Sequence, residues 1–177
     1  MKSSYLNIRR LTIAALGAAL VCISTRMFQF PIPLGYAHLG NCVLLLFAVY
    51  FDPWVGAFAG GIGSALADLM SYPEWALPTL LIKSLMGLVA ATLAKGPGRS
   101  ATLRSLRTLL AVLSAILMMI AGYFAAGSLL YGSIVTGAAQ LPGLSIEGLI
   151  GILLFYAIAA PLERSGLLKR LASRAVR

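Results

Sequence analysis

The chain has 177 residues, of which 60% are hydrophobic and only 11% charged, whereas soluble domains run near 45–50% apolar and about 25% charged. A soluble fold of this size cannot hide so much apolar surface, so a soluble enzyme is excluded and an all-α membrane protein forming one domain, 1–177, is expected. The net charge of +9 would suggest a nucleic-acid partner only if aromatics interleaved with the basic residues; here the basic residues fall between or beyond apolar stretches and set topology instead.

Apolar stretches lie at about 11–28, 37–51, 54–70, 76–94, 106–131 and 146–162. The first follows Lys2, Arg9 and Arg10 as a signal peptide would, but no small-residue cleavage site ends it, so it is expected to remain as the first helix. Within it Ala14 and Ala18, and Ala15 and Ala19, repeat at four-residue spacing, a pattern that lets helix backbones approach in lipid. Packing inside the bundle and contact with a partner helix both remain open for this face. The second and third stretches are short, and Asp52-Pro53 between them reads as a tight turn. Fusing 39–70 into one helix would give about 48 Å, too long for a hydrocarbon core of about 30 Å. The third stretch repeats Gly56, Gly60 and Ser64, with Ala57, Gly61 and Ala65 beside them, and intramolecular packing is the expected use.

Charge supplies an independent check. With six transmembrane helices and a cytoplasmic N-terminus, the inner side carries Lys2, Arg9, Arg10, the 95–107 loop and the C-terminal tail, twelve of the fourteen basic residues. Only Arg26 and Lys83 are left over. The positive-inside rule therefore predicts a six-helix bundle, N-in and C-in. The three outer connections, about 29–38, 71–76 and 132–145, contain no Lys or Arg and are rich in Pro, Gly, Tyr and Trp.

The polar residues gather at this outer end. Intramembrane charge costs on the order of 2.5–3.5 kcal/mol per residue, so Asp68 and Lys83 each need a partner or a task. They either satisfy one another as an ion pair or line a pocket open to the outside. Tyr36, Tyr72 and Trp75 offer flat faces for a planar ring, and His38, Asn41, Gln140 and Glu147 offer hydrogen bonds. Catalysis finds little footing. His38 is the single histidine, which precludes a multi-imidazole metal site; Ser64 is the obvious partner for a Ser–His pair, but nothing else recommends it. No P-loop is present, so energy for active transport would come from another polypeptide. Cys22 and Cys42 read as packing residues.

Taken together, the alanine-rich helix LTIAALGAALVCI (11–23), PIPLGYAHLGN (31–41), GAFAGGIGSALADL (56–69) and YPEWALPTLLIKSLMGLVA (72–90) resemble the substrate-binding S component of energy-coupling factor (ECF) vitamin transporters. Within that family they are most similar to the riboflavin-type branch that includes pyridoxine and hydroxymethylpyrimidine carriers. The resemblance implies a subunit of the prokaryotic cell membrane with no catalytic activity and no cofactor. Such a subunit captures a vitamin beneath a lid formed by the first outer loop. It docks on a transmembrane coupling protein joined to two cytoplasmic ATPases, and delivers its cargo by toppling in the membrane. By motif position the family's binding residues fall on His38, Asn41, Asp68, Tyr72, Trp75 and Lys83, and its coupling face on Ala14, Ala15, Ala18 and Ala19. Glu147 departs from the pattern, standing where an amide is common. Pyridoxine or a related hydroxymethylated ring is the expected cargo, with riboflavin the alternative. A non-catalytic membrane scaffold is the competing class.

Overall fold

In a computed structural model, residues 2–32, 35–95 and 101–166 are described, without the side chains of 2–7, 32 and 35–37. The chain is mostly helical: α1 (Lys2–Met27), α2 (Gly40–Tyr50), α3 (Pro53–Leu69), α4 (Ala76–Ala94), α5 (Leu106–Leu130), α6 (Ile134–Ala139) and α7 (Leu141–Arg164). A hairpin of β1 (Gln29–Ile32) and β2 (Gly35–His38) joins α1 to α2, and a 3-10 turn (Pro73–Trp75) leads into α4.

Local chemistry sets the boundaries. Asp52 caps α3, accepting from the Trp54 N–H at 3.0 Å, and Pro53 takes the first helical position, where its missing donor costs nothing. Ser105 and Ser133 cap α5 and α6 in the same way. Two expectations are corrected. The connection 132–145 is largely helical, because Ser133 starts α6 and Pro142 sits in the first turn of α7. The second apolar stretch does not make a full spanning helix. Pro31 cannot donate to a helix, the hairpin pairs the backbone of this segment instead, and α2 has only 11 residues, about 16 Å at 1.5 Å per residue. Among the described residues, four helical segments are long and apolar enough to cross a membrane, at Ile8–Met27, Pro73–Ala94, Leu106–Leu130 and, taking α6 and α7 together, Ile134–Arg164. At 17 residues, α3 meets the lower bound of about 17.

The bundle is built around α3, which packs against α1 on one side and α4 on the other, while α7 lies against α2 and α5. Glycine permits the closest approach. A Cβ on Gly56 would stand 2.7 Å from the Ala48 Cα, and one on Gly87 would strike the Gly56 carbonyl. The small-residue stripe of α3 is therefore spent inside the chain. The alanines of α1 do not share one face: Ala14 and Ala18 are buried in the bundle, whereas Ala15 and Ala19 are exposed beside Leu16, Leu20 and Ile23. Only the second pair is available to a partner. Large aliphatics such as Leu77, Leu81 and Leu85 of α4 and Leu110 and Leu117 of α5 also point outward, as lipid-facing residues do.

Candidate binding site

Chain direction puts the C-termini of α1, α3 and α5 at one end of the bundle, with the N-termini of α2, α4 and α7 and the hairpin. Lys83 of α4 lies just inside this end and is completely buried. Its ammonium donates to the Asn41 Oδ1 at 2.6 Å, lies 3.4 Å from the Glu147 Oε1, approaches the Met119 thioether at 3.1 Å, and sits 5.3 Å from the Tyr123 ring centre. The Asn41 amide N–H donates to the same Glu147 oxygen at 2.7 Å. Side chains from α2, α4, α5 and α7 thus converge on one charge pair inside the bundle.

The hairpin lies beside this pair, with β2 against α7 and α1. The His38 Nδ1 accepts the Gly40 N–H at 3.0 Å, satisfying one of the orphan donors that begin α2. That fixes the tautomer, leaving the proton on Nε2, 3.5 Å from the Glu147 carboxylate.

One wall is aromatic. Trp75 is buried, with ring centres 5.7 Å from Tyr123 and 6.1 Å from Tyr131, and its indole N–H donates to the Tyr131 hydroxyl at 3.3 Å. Thr79 and the Tyr123 hydroxyl are 2.9 Å apart. The Gln140 side chain is buried near Trp75 and Gly127, and its amide nitrogen has no hydrogen-bond partner among the described residues.

Of the residues singled out by sequence, His38, Asn41, Lys83 and Glu147 come together in one network, with Trp75 and Gln140 above it. Asp68 is buried at the end of α3, but the carboxylate that meets Lys83 belongs to Glu147. Tyr72 sits at the rim, 38% exposed. Tyr36 lies in β2 opposite Pro31, and its side chain falls outside the described residues. Met119, Tyr123, Thr79 and Thr25, which contacts His38 at 3.5 Å, were not anticipated. The signal was available: Trp75, Thr79 and Lys83 are spaced by four, as are Met119, Tyr123 and Gly127, so each set lies along one helix face.

This arrangement offers a carboxylate acceptor, ammonium and amide donors and aromatic faces, enough to hold a small polar ring by its edge and its face. Comparison with known proteins identifies the family. Residues 5–164 match the family described as ECF-type riboflavin transporter, S component. The thiamine precursor transporter HmpT of Lactococcus lactis subsp. cremoris is 31% identical over 172 residues, 92% of either chain. A Pyrococcus woesei protein described only as uncharacterised, in the gap 3′ region, is 41% identical over 114 residues, 63% of this chain and 74% of its own. The solved S component of a bacterial ECF transporter superposes with a TM-score of 0.71 at 18% identity, covering 89% of this chain and 97% of that one.

Proposed function

Because the chain belongs to the family of ECF-type riboflavin transporter S components, multi-pass membrane proteins of prokaryotes, we propose that it captures the hydroxymethylated aminopyrimidine half of thiamine. The observation that carries this reading is the buried Lys83–Asn41–Glu147 network beside Trp75 and Tyr123. An aminopyrimidine presents an exocyclic amine next to a ring nitrogen. Glu147 accepts from the amine, Lys83 or Asn41 donates to the nitrogen, and the ring lies against the aromatic wall. Pyridoxine, with hydroxyls but no exocyclic amine, uses the carboxylate less fully. The likeness to a thiamine precursor transporter over nearly the whole chain supports the same choice.

Asp68 and Tyr72 lie at the rim of this pocket in the proposal, with Tyr36 on the hairpin above it, and the hairpin acts as the lid. The bundle makes six crossings, the hairpin and α2 together completing one, with both termini cytoplasmic. Labelling from outside intact cells of a cysteine placed at Ser165 would overturn that orientation. Ala15 and Ala19 face the transmembrane coupling protein, which with two ATPases drives toppling and release.

Calorimetric titration of the detergent-purified chain with hydroxymethylpyrimidine, pyridoxine, riboflavin and thiamine tests the cargo. Submicromolar binding of the pyrimidine is expected. Tight binding of riboflavin alone, the reading that the family description favours, overturns the substrate. No binding across the panel by folded protein raises the scaffold reading.

A further inference from the structure

We infer that the Ser64 hydroxyl is a specificity-determining contact, the group on α3 that reads the hydroxymethyl arm of the ligand; this rests on the substrate reading above.

Ser64 is 1% exposed, and its hydroxyl has no hydrogen-bond partner among the described residues. That is unusual for a serine inside a helix, whose hydroxyl ordinarily turns back on the carbonyl four residues earlier. In this chain the helical Thr12, Thr92, Ser128 and Ser145 do so. Ser64 does not. A buried hydroxyl left unpaired is costly, and it persists where something outside the apo fold needs it.

The helix contacts locate that hydroxyl. A Cβ on Gly56 would meet Ala48 of α2, and one on Gly60 would meet the Leu44 side chain at 2.6 Å and the Lys83 carbonyl at 2.9 Å. Gly56 likewise abuts Gly87 of α4. Each step of four forward in α3 thus matches a step of four back in α2 and in α4. One further step sets Ser64 level with Gly40 and Asn41 on α2 and with Thr79 on α4. These residues bound the Lys83–Glu147 network and the aromatic wall. On the aminopyrimidine the hydroxymethyl group is attached next to the carbon that bears the amine. If Glu147 takes the amine, a hydroxyl reader must lie one ring edge away at the same depth. On this register Ser64 lies at that depth, whereas Gln140 sits higher, against Gly127 and Trp75.

The test compares hydroxymethylpyrimidine with its deoxy analogue, in which the hydroxymethyl is a methyl, by calorimetry on the full chain and on Ser64→Ala. The wild-type chain is expected to prefer the hydroxylated ring by about tenfold, the scale of one buried hydrogen bond. Ser64→Ala is expected to lose that preference while binding the deoxy analogue as the wild type does, with its melting temperature unchanged or raised because no partner is stranded. A preference that survives in Ser64→Ala overturns the assignment and leaves the substrate reading standing. Failure of the folded wild-type chain to bind either pyrimidine overturns the substrate reading, and this assignment with it.

Discussion

The two ends of the bundle each hold a glutamate, and their partners set them apart. At the hairpin end, Glu147 is met by the side chains of Asn41, Lys83 and His38, of which Asn41 and Lys83 can pair anew without breaking a bond to the backbone. At the far end, Glu163 accepts from the Tyr50 hydroxyl and from the backbone N–H of Leu103, both at 3.0 Å. A backbone donor cannot re-pair without moving the chain, so Glu163 pins the segment before α5 to the end of α7. The lysines differ in parallel. Lys83 is completely buried within the Glu147 network, while Lys95 follows the end of α4 near Asp52, which itself pairs with Arg10 at 3.2 Å. One end has the chemistry of exchange, the other that of closure.

The largest effect is expected from Lys83→Met. Removing one partner of a buried pair leaves the other charge uncompensated, a loss of about 3–5 kcal/mol, whereas replacing both with apolar groups is often neutral. Lys83→Met should therefore lower the melting temperature sharply and abolish pyrimidine binding. The double variant with Glu147→Met should recover stability without recovering binding. A double variant that binds normally would show that the network is structural, like the one at the far end.

Next in size is Trp75→Ala. Stacking of a base on an aromatic ring is worth about 1–3 kcal/mol, so affinity should fall by about 5- to 150-fold. Trp75→Phe, which keeps a flat face and gives up the hydrogen bond to Tyr131, should retain most of it. Equal losses in both would mean that the indole N–H, and not the ring face, supports the site.

Much of this contrast is legible in sequence, because depth along a helix follows from residue count. The Asp52-Pro53 break, the span of α4 and the clustering of polar residues at one end all follow from spacing and turn chemistry. Azimuth and neighbour order do not. Lys83 can be set near one surface by counting, but its partner depends on α7 lying against α2, which no local pattern encodes. Asp68 is at a similar depth and was the plausible candidate; Glu147 arrives from 64 residues away in sequence. The same limit hid the division of the α1 alanines, since a four-residue repeat is visible while its direction is not. The hairpin was obscured for a different reason. Its prolines mark a break in the helix, but strand pairing depends on what the chain returns to.

The smallest effect, at the far end, checks closure directly. Burial lowers the Lys95 pKa to about 8, against the opposing pull of Asp52, from about 10.4 in an unfolded chain. Between these values the unfolded state holds a proton that the folded state has released, so stability should rise with pH across roughly pH 8 to 10.4. Below pH 8 both states are protonated and the cost of burying the ammonium is borne in full. Melting curves over this window should climb for the wild-type chain and flatten for Lys95→Met, with pyrimidine affinity at pH 7 the same in both. If Lys95→Met weakens binding as Lys83→Met does, the ends are coupled through α4, and the division between exchange and closure fails.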